Sequence, residues 1–331
     1  MIVVRTPLRL SFVGGGSDIK AFYNRQNGKV ISSAIDKFIY IIVKERFDDK
    51  IYINYSRKEI VDHLDEIEHD LVREAMRITG LVKGVEITSL ADIPSEGSGL
   101  GSSSSVTVGL LHAFYAFQDK LVTAEQLADE ACRIEIDVVG KPIGRQDQYA
   151  AAYGGLNQFE FHPDDTTETT PVRIENGVLR RVSSSILLYY TGITRNADHI
   201  LSEQKDNYTD RDKFEIMCEM VSFVEPFKKA LKEADIETCG KLLDMNWQLK
   251  KKMASAINNN EIQHMYERAK HAGAIGGKIA GAGGGGFLML IVPREKQNAV
   301  FEAMKDYREM PFMLERSGSK VIFDGRGYSN K

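Results

Sequence analysis

The amino-acid sequence predicts an α+β protein in two domains, and three observations predict it. The 331 residues are roughly twice an ordinary domain of about 150. Alternating and β-branched runs crowd the first half of the chain, whereas amphipathic helical patterns fill most of 196–272. Between them, 162–178 (HPDDTTETTPVRIENGV) is polar, acidic and turn-rich. It is the expected exposed boundary, giving a strand-rich N-terminal domain, 1–178, and a helix-rich C-terminal domain, 179–331.

The elements follow in order. In the opening strand Leu8, Leu10 and Phe12 share one side and Arg9, Ser11 and Val13 the other, so a basic side chain leaves an early strand at a fixed angle. Strands are expected at 29–35, 38–46 and 50–56, an amphipathic helix over 59–79 and a strand at 84–90. A Gly/Ser loop at 95–105 runs into a helix over 103–118. A second helix, 124–139, opens on Thr123 and Gln126 as a capping box and stops at Gly140 and Pro142. Later, SILLYY reads as a buried strand, a glycine run at 281–286 feeds FLMLIV, and one helix and one strand close the chain. The lone Trp247 lies in a helical pattern and reads as core.

Charge and cysteine content exclude several functions. The 43 Lys and Arg against 47 Asp and Glu give −4, so no bulk positive field favours nucleic acid or an anionic bilayer. Cys132, Cys218 and Cys239 are odd in number and widely spaced, and read as reduced thiols. Arg5 and Arg9 interrupt any signal-peptide core, and no run approaches the roughly 18 apolar residues of a membrane span. A cytosolic protein is expected, with no oligomeric state implied.

The segment Pro94 to Ser105 carries the first chemical signal. It follows a strand and opens a helix, where free backbone N–H groups and the positive end of the helix dipole can dock an anion. Gly97, Gly99 and Gly101 allow close backbone approach. The expected phosphate cradle is Gly97, Ser98, Gly99, Leu100, Gly101, Ser102, Ser103 and Ser104. No Gly-Lys-Ser/Thr ending makes it a P-loop, and no strand carries Asp119 as a dinucleotide fold would require.

Three segments in order resemble the GHMP kinases: Thr6-Pro-Leu-Arg9-Leu-Ser-Phe-Val-Gly14-Gly-Gly-Ser-Asp18, the loop just described, and Lys278-Ile-Ala-Gly281-Ala-Gly283-Gly-Gly-Gly286-Phe287. The resemblance implies a GHMP-kinase-like fold with a ferredoxin-like C-terminal domain, and ATP and Mg²⁺ as cofactors. Within the family the likeness is to sugar 1-kinases. It implies a small-molecule sugar phosphate as partner, with transfer of the ATP γ-phosphate to the anomeric hydroxyl of a heptose 7-phosphate. Galactokinases carry a Glu-His pair where this chain has Gly15 and Gly16, which is expected to open room for a longer sugar.

The resemblance also implies roles. Gly140-Lys-Pro-Ile-Gly144-Arg145-Gln146-Asp147-Gln148 is similar to the stretch holding the carboxylate that faces the reacting hydroxyl, so Asp147 is the expected base; the residues alone favour a helix N-cap, and the surrounding motifs reverse that. Arg9 is expected to pair with Asp147 or with the transferring phosphoryl group, the plain alternative being a surface ion pair. A helical wheel puts Glu135 at the edge of an apolar stripe, where a buried carboxylate must meet a cation. The resemblance makes that cation Mg²⁺, shared with Ser103; a lysine would serve as well. Gly15, Gly16, Ser17 and Asp18 are the expected sugar-binding turn, Asp18 reading otherwise as a turn former. A distal phosphate needs a cation, and Arg195, Arg145 or Lys141 would serve. Gly281, Gly283, Gly284 and Gly285 are expected to pack against the phosphate loop.

Overall fold

The computed structural model describes residues 1–325 except 95, 96, 195 and 196. In chain order the first unit contains β1 (Ile2–Ser11), α1 (Lys20–Tyr23), β2 (Gly28–Glu45), β3 (Ile51–Asn54), β4 (Lys58–Val61), α2 (Asp70–Thr79), β5 (Val85–Ala91), α3 (Ser102–Phe117), α4 (Ala124–Cys132), α5 (Gln146–Tyr153), β6 (Leu156–Phe161) and β7 (Thr167–Pro171). Then come α6 (Asn176–Ser184), β8 (Ile186–Tyr190), five helices α7 (Ala197–Asn207), α8 (Arg211–Ser222), α9 (Val224–Glu233), α10 (Ile236–Lys250) and α11 (Asn260–Ala272), β9 (Gly276–Ile279), β10 (Phe287–Ile291), α12 (Gln297–Ala303), β11 (Arg308–Glu309) and β12 (Lys320–Asp324).

Two sheets organise the chain. The first has eight strands in the order β12-β1-β2-β5-β3-β4, with β6 also on β2 and β7 on β6; only β3 and β5 run parallel. The second, β11-β8-β10-β9, is antiparallel throughout, and with its helices traces the βαββαβ order of a ferredoxin-like unit. Phe12 at the end of β1 meets Phe227 of α9 with ring centroids 5.5 Å apart, so the second unit's helices cover the turn that leaves the first strand. Both faces of β1 are buried there: Leu8, Leu10 and Phe12 are fully covered, and Arg9 is only 4 % exposed. Trp247 is fully buried in a separate core cluster with Tyr189, Met217 and Leu288.

Several elements differ from expectation for local reasons. The runs 29–35 and 38–46 form one strand, β2, because Asp36 donates its N–H to the Met313 carbonyl and a register shift between Pro7 and Leu8 absorbs the bend. The expected helix over 59–79 begins only at Asp70; Lys58–Val61 instead pairs with β3, and the Glu59 carboxylate accepts the N–H groups of Glu68 and His69. Thr123 does cap α4 by accepting from Gln126 N, yet the helix gives way after Cys132 to a π-helical turn, Arg133–Val138. The supposed boundary 162–178 holds β7, whose alternating threonines pair with β6, and the start of α6. Finally, β12 returns to pair with β1, so the last segment of 179–331 completes the N-terminal sheet.

Candidate active site

The phosphate loop is built on glycines whose positive φ disfavours a side chain. Gly97, Gly99 and Gly101 have φ of +67°, +73° and +77°, and α3 starts at Ser102 with its first N–H groups directed off the end. A Cβ on Gly99 would stand 2.4 Å from the Ala280 carbonyl oxygen, one on Gly281 2.7 Å from the Gly99 oxygen, and one on Gly286 2.5 Å from the Ser98 oxygen. Gly281 and Gly286 therefore clasp the loop; Gly283 and Gly284 lie instead on Ile257, and Gly285 on Ile193. Within the cradle Leu100 is fully buried and offers only its backbone, and the Ser98 and Ser102 hydroxyls are bonded to each other at 3.0 Å. Ser104 is buried as well, leaving Ser103 as the exposed serine of the set.

Arg9 joins this loop to Asp147. Its Nε and Nη2 donate to the two carboxylate oxygens at 2.7 and 2.6 Å, its Nη1 donates to the Gly99 carbonyl at 2.6 Å, and its backbone N–H donates to the Leu100 carbonyl. This is a fork from a buried arginine to a half-buried carboxylate rather than a surface pair. Asp147 lies in the first turn of α5, but the cap position belongs to Arg145, so the carboxylate is held by Arg9 and does not serve as the N-cap. A Cβ on Gly101 would stand 3.5 Å from Asp147 Oδ2, so loop and carboxylate are in contact distance.

The π-helical turn aims Glu135 inward, where it is fully buried. Ser103 Oγ donates to its Oε2 at 2.6 Å, Gln148 Nε2 donates to Oε1 at 3.0 Å, and the Lys141 ammonium reaches Ser103 Oγ at 2.7 Å and Glu135 at 3.4 Å. Hydroxyl and carboxylate are hard oxygen donors converging on a point where a cation already stands, and that set fits a divalent metal. Lys141 thus stands at this end of the cleft. Next to it, Tyr55, His69, Leu90 and Val106 help line a cavity of ≈ 520 Å³, the size of an ordinary ligand pocket; the His69 ring meets the Tyr55 ring edge-on at 4.7 Å.

On the other side of Asp147, the turn after β1 closes a narrow cavity of ≈ 60 Å³ lined by Arg9, Gly15, Asp18, Gln146, Asp147 and Lys250 among others. Asp18 is 2 % exposed and accepts from Gly16 N, Gln146 N and Gln146 Nε2. Burial, reinforced by the neighbouring Asp147 charge, raises its pKa above the ordinary carboxylate value. Ser17 faces away: its hydroxyl donates to the Lys29 carbonyl and accepts the Lys29 N–H, tying the turn to β2. Gly16 opens no room for a sugar either, since its Cβ would point at Gln204, Met217 and Tyr208, whereas one on Gly15 would point between Ser11 Oγ and Gln146.

Two lysines of the second unit grip this turn, and sequence reasoning missed both roles. Lys278, 1 % exposed, donates to the Ser11 and Phe12 carbonyls, and burial drives its pKa well below the ordinary lysine value. Lys250, 2 % exposed, reaches the Gly15 carbonyl at 3.4 Å, and burial lowers it to about 8. Nothing in the local pattern of α10 marked Lys250, because the face it presents is chosen by the packing of α10 on the β1 turn.

Of the expected distal-phosphate cations, Arg145 and Lys141 are not brought to this cavity. Arg145 is bound by Asp129 at 3.0 Å, by the Asp165 carbonyl and by the Tyr149 hydroxyl, because the turn at Gly144 folds tightly onto Asp18 and directs the next side chain outward to α4. Arg195 lies outside the described residues.

Comparison with known proteins identifies the family. The GHMP kinases N terminal domain matches residues 53–155 and the GHMP kinases C terminal domain residues 227–309. A D-glycero-alpha-D-manno-heptose 7-phosphate kinase of Campylobacter jejuni is 32 % identical over 96 % of this chain and 97 % of its own, and a galactokinase of Pyrococcus furiosus 26 % identical over 92 % of each. The crystal structure of a D-glycero-D-manno-heptose 1-phosphate kinase from Bacteroides thetaiotaomicron superposes with a TM-score of 0.82 at 26 % identity, covering 98 % of this chain and all of that one. The chain belongs to the GHMP kinase family. It is a phosphotransferase with an alcohol acceptor, a sugar kinase by its relatives.

Proposed function

We propose that the protein transfers the γ-phosphoryl group of ATP to the anomeric hydroxyl of a D-glycero-D-manno-heptose 7-phosphate, giving the 1,7-bisphosphate and ADP. The observation that carries the reading is the Arg9–Asp147 fork set against the N-terminus of α3. The likeness to the Campylobacter heptose 7-phosphate kinase supports that acceptor, and the likeness to the Bacteroides heptose 1-phosphate kinase supports a heptose.

In this reading the N–H groups of the glycine loop hold the triphosphate, and the cavity beside Ser103 and Tyr55 takes the base and ribose. Ser103 and Glu135 would hold Mg²⁺, which when bound neutralises charge on the nucleotide phosphates. Asp147 aligns the acceptor hydroxyl and receives its proton as the new O–P bond forms and the β–γ bridge breaks. Arg9 fixes the carboxylate and faces the charge that develops on the phosphoryl oxygens, the kind of positioning on which phosphoryl transfer depends. Gly281 and Gly286 keep the loop closed from behind.

A second reading keeps this chemistry and changes the acceptor to a sugar without a phosphate. The engagement of Arg145 by Asp129 favours it, because that removes one of the expected phosphate contacts. Incubation of the protein with Mg-ATP and a panel of sugars and sugar phosphates, read by mass spectrometry and by 31P NMR of the product, separates the two. A 1,7-bisphosphate from the heptose 7-phosphate is expected. Preferential phosphorylation of a free sugar would establish the second reading, and no product from any sugar would leave a nucleotide- or sugar-binding sensor.

A further inference from the structure

Three polar groups around the cavity beside Asp147 are under-bonded among the described residues: two have no partner and one has a single long contact. Ser11 Oγ and Gln146 Oε1 are buried and, among the described residues, make no hydrogen bond. Lys250 is 2 % exposed, and among the described residues its ammonium has one bond, the long contact to the Gly15 carbonyl at 3.4 Å. An ammonium carries three donors, and a buried donor left unpaired is costly. One orphaned atom is ordinary in a folded protein. Here two, together with an ammonium holding a single long bond, converge on one cavity.

Their donor and acceptor pattern defines what fits. Lys250 donates, Ser11 does either, and Gln146 presents its carbonyl oxygen, since its Nε2 must face the acceptor-only carboxylate of Asp18 at 3.0 Å. A phosphate offers only acceptors and would meet that carbonyl oxygen together with the carboxylates of Asp18 and Asp147, which line the same cavity. A hydroxyl both donates and accepts. The charged groups facing Lys250 are Asp18, Asp147 and Arg9, with Lys278 behind it, so opposite charges surround the cavity and no net field there selects an anion. A volume of ≈ 60 Å³ admits a few water-sized groups and not a whole sugar phosphate.

We propose that Lys250, Gln146 and Ser11 read the hydroxyl next to the one that Asp147 faces, and so determine sugar specificity, while the sugar's far end and any phosphate it carries lie outside this cavity. The inference rests on the reading of the cleft as a sugar site. It also gives Gly15 a purpose: a Cβ there would stand 3.1 Å from Ser11 Oγ and 3.6 Å from Gln146 Nε2, filling the space the hydroxyl needs.

Steady-state kinetics with the accepted sugar, its 2-deoxy analogue and ATP test this on Lys250→Met, Lys250→Arg and Ser11→Ala. Ser11→Ala deletes an oxygen with no bond among the described residues, so its melting temperature should match the parent while KM for the sugar rises about threefold or more. Lys250→Met should raise that KM about tenfold or more with KM for ATP unchanged. In it the parent's preference for the full sugar over the 2-deoxy analogue should collapse toward one, and Lys250→Arg should restore part of it. Sugar KM and deoxy discrimination both staying within about twofold in Ser11→Ala and Lys250→Met would overturn the assignment while leaving the kinase reading intact. If Lys250→Met does not fold, Ser11→Ala decides alone. A parent protein that phosphorylates no sugar at all removes the kinase reading, and this assignment with it.

Discussion

Arg9 holds both carboxylate oxygens of Asp147, at 2.7 and 2.6 Å, with the same guanidinium that holds the Gly99 carbonyl at 2.6 Å. Residues 138 positions apart in sequence are thereby fixed around the point where a nucleotide's phosphates would end. A planar fork of donors can do this, and a lysine, a point charge on a flexible stem, cannot.

Replacing Arg9 therefore has two effects. Arg9→Ala takes two charge-assisted bonds from Asp147, which is 24 % exposed and can be rehydrated, and should cost about 1–2 kcal/mol of stability, read by denaturant titration. Arg9→Lys should keep much of that stability yet lower kcat by roughly 10²-fold or more, because the lost term is geometry near the developing charge.

Gly99 and Gly281 test the clasp behind the loop. Alanine at either meets backbone within 2.4 to 2.7 Å and occupies a positive φ, so each variant should lose about 2 kcal/mol or more and bind a non-hydrolysable ATP analogue weakly. Gly140→Ala is the control: its φ is +78° but nothing lies within 4 Å, so calorimetry should show only the smaller backbone cost, about 1 kcal/mol, and normal nucleotide affinity.

Glu135→Gln keeps the shape of the buried side chain but removes its charge. The concentration of Mg²⁺ giving half-maximal rate should rise about tenfold or more, with the sugar KM nearly unchanged. An unchanged Mg²⁺ dependence would mean that Glu135 serves only to anchor Ser103, Lys141 and Gln148.

The lowered pKa of Lys250, about 8, sets a pH signature. Its cationic form is lost in the folded protein as pH rises through that value, so kcat/KM for the sugar should fall above about pH 8, and Lys250→Met should flatten this limb. Stability moves the other way. Between about 8 and the ordinary lysine value of about 10.4 the unfolded chain binds more protons, so the parent should gain stability with rising pH and Lys250→Met should gain less.

Legibility in the sequence followed physical type. The loop at 97–105 and the run at 281–286 could be read because positive φ and backbone-to-backbone packing demand glycine, and glycine is visible as a letter. Strand alternation fixed the direction of Arg9 but not its partner, which only the family resemblance suggested, and a helical wheel put Glu135 off the solvated face. Partners set by distant packing were not readable. Arg145 sits beside the motif yet turns to Asp129, whereas Lys250 sits in an unremarked helix and enters the cavity. The Gly15 and Gly16 pair looked equivalent and is not, since one Cβ direction faces the cavity and the other the interior. The hairpin β6–β7 hid in polar threonines, and β12 revealed its pairing only through a contact with the far end of the chain.

Asp147→Asn, studied in single turnover alongside equilibrium binding of Mg-ATP, bears most directly on the whole account. Nucleotide affinity within about twofold of the parent, with phosphoryl transfer slowed about 10²-fold or more, is the expected result for a group that acts on the acceptor hydroxyl. Transfer at close to the parental rate, with the nucleotide bound normally, would show that the carboxylate gripped by Arg9 takes no part in the reaction.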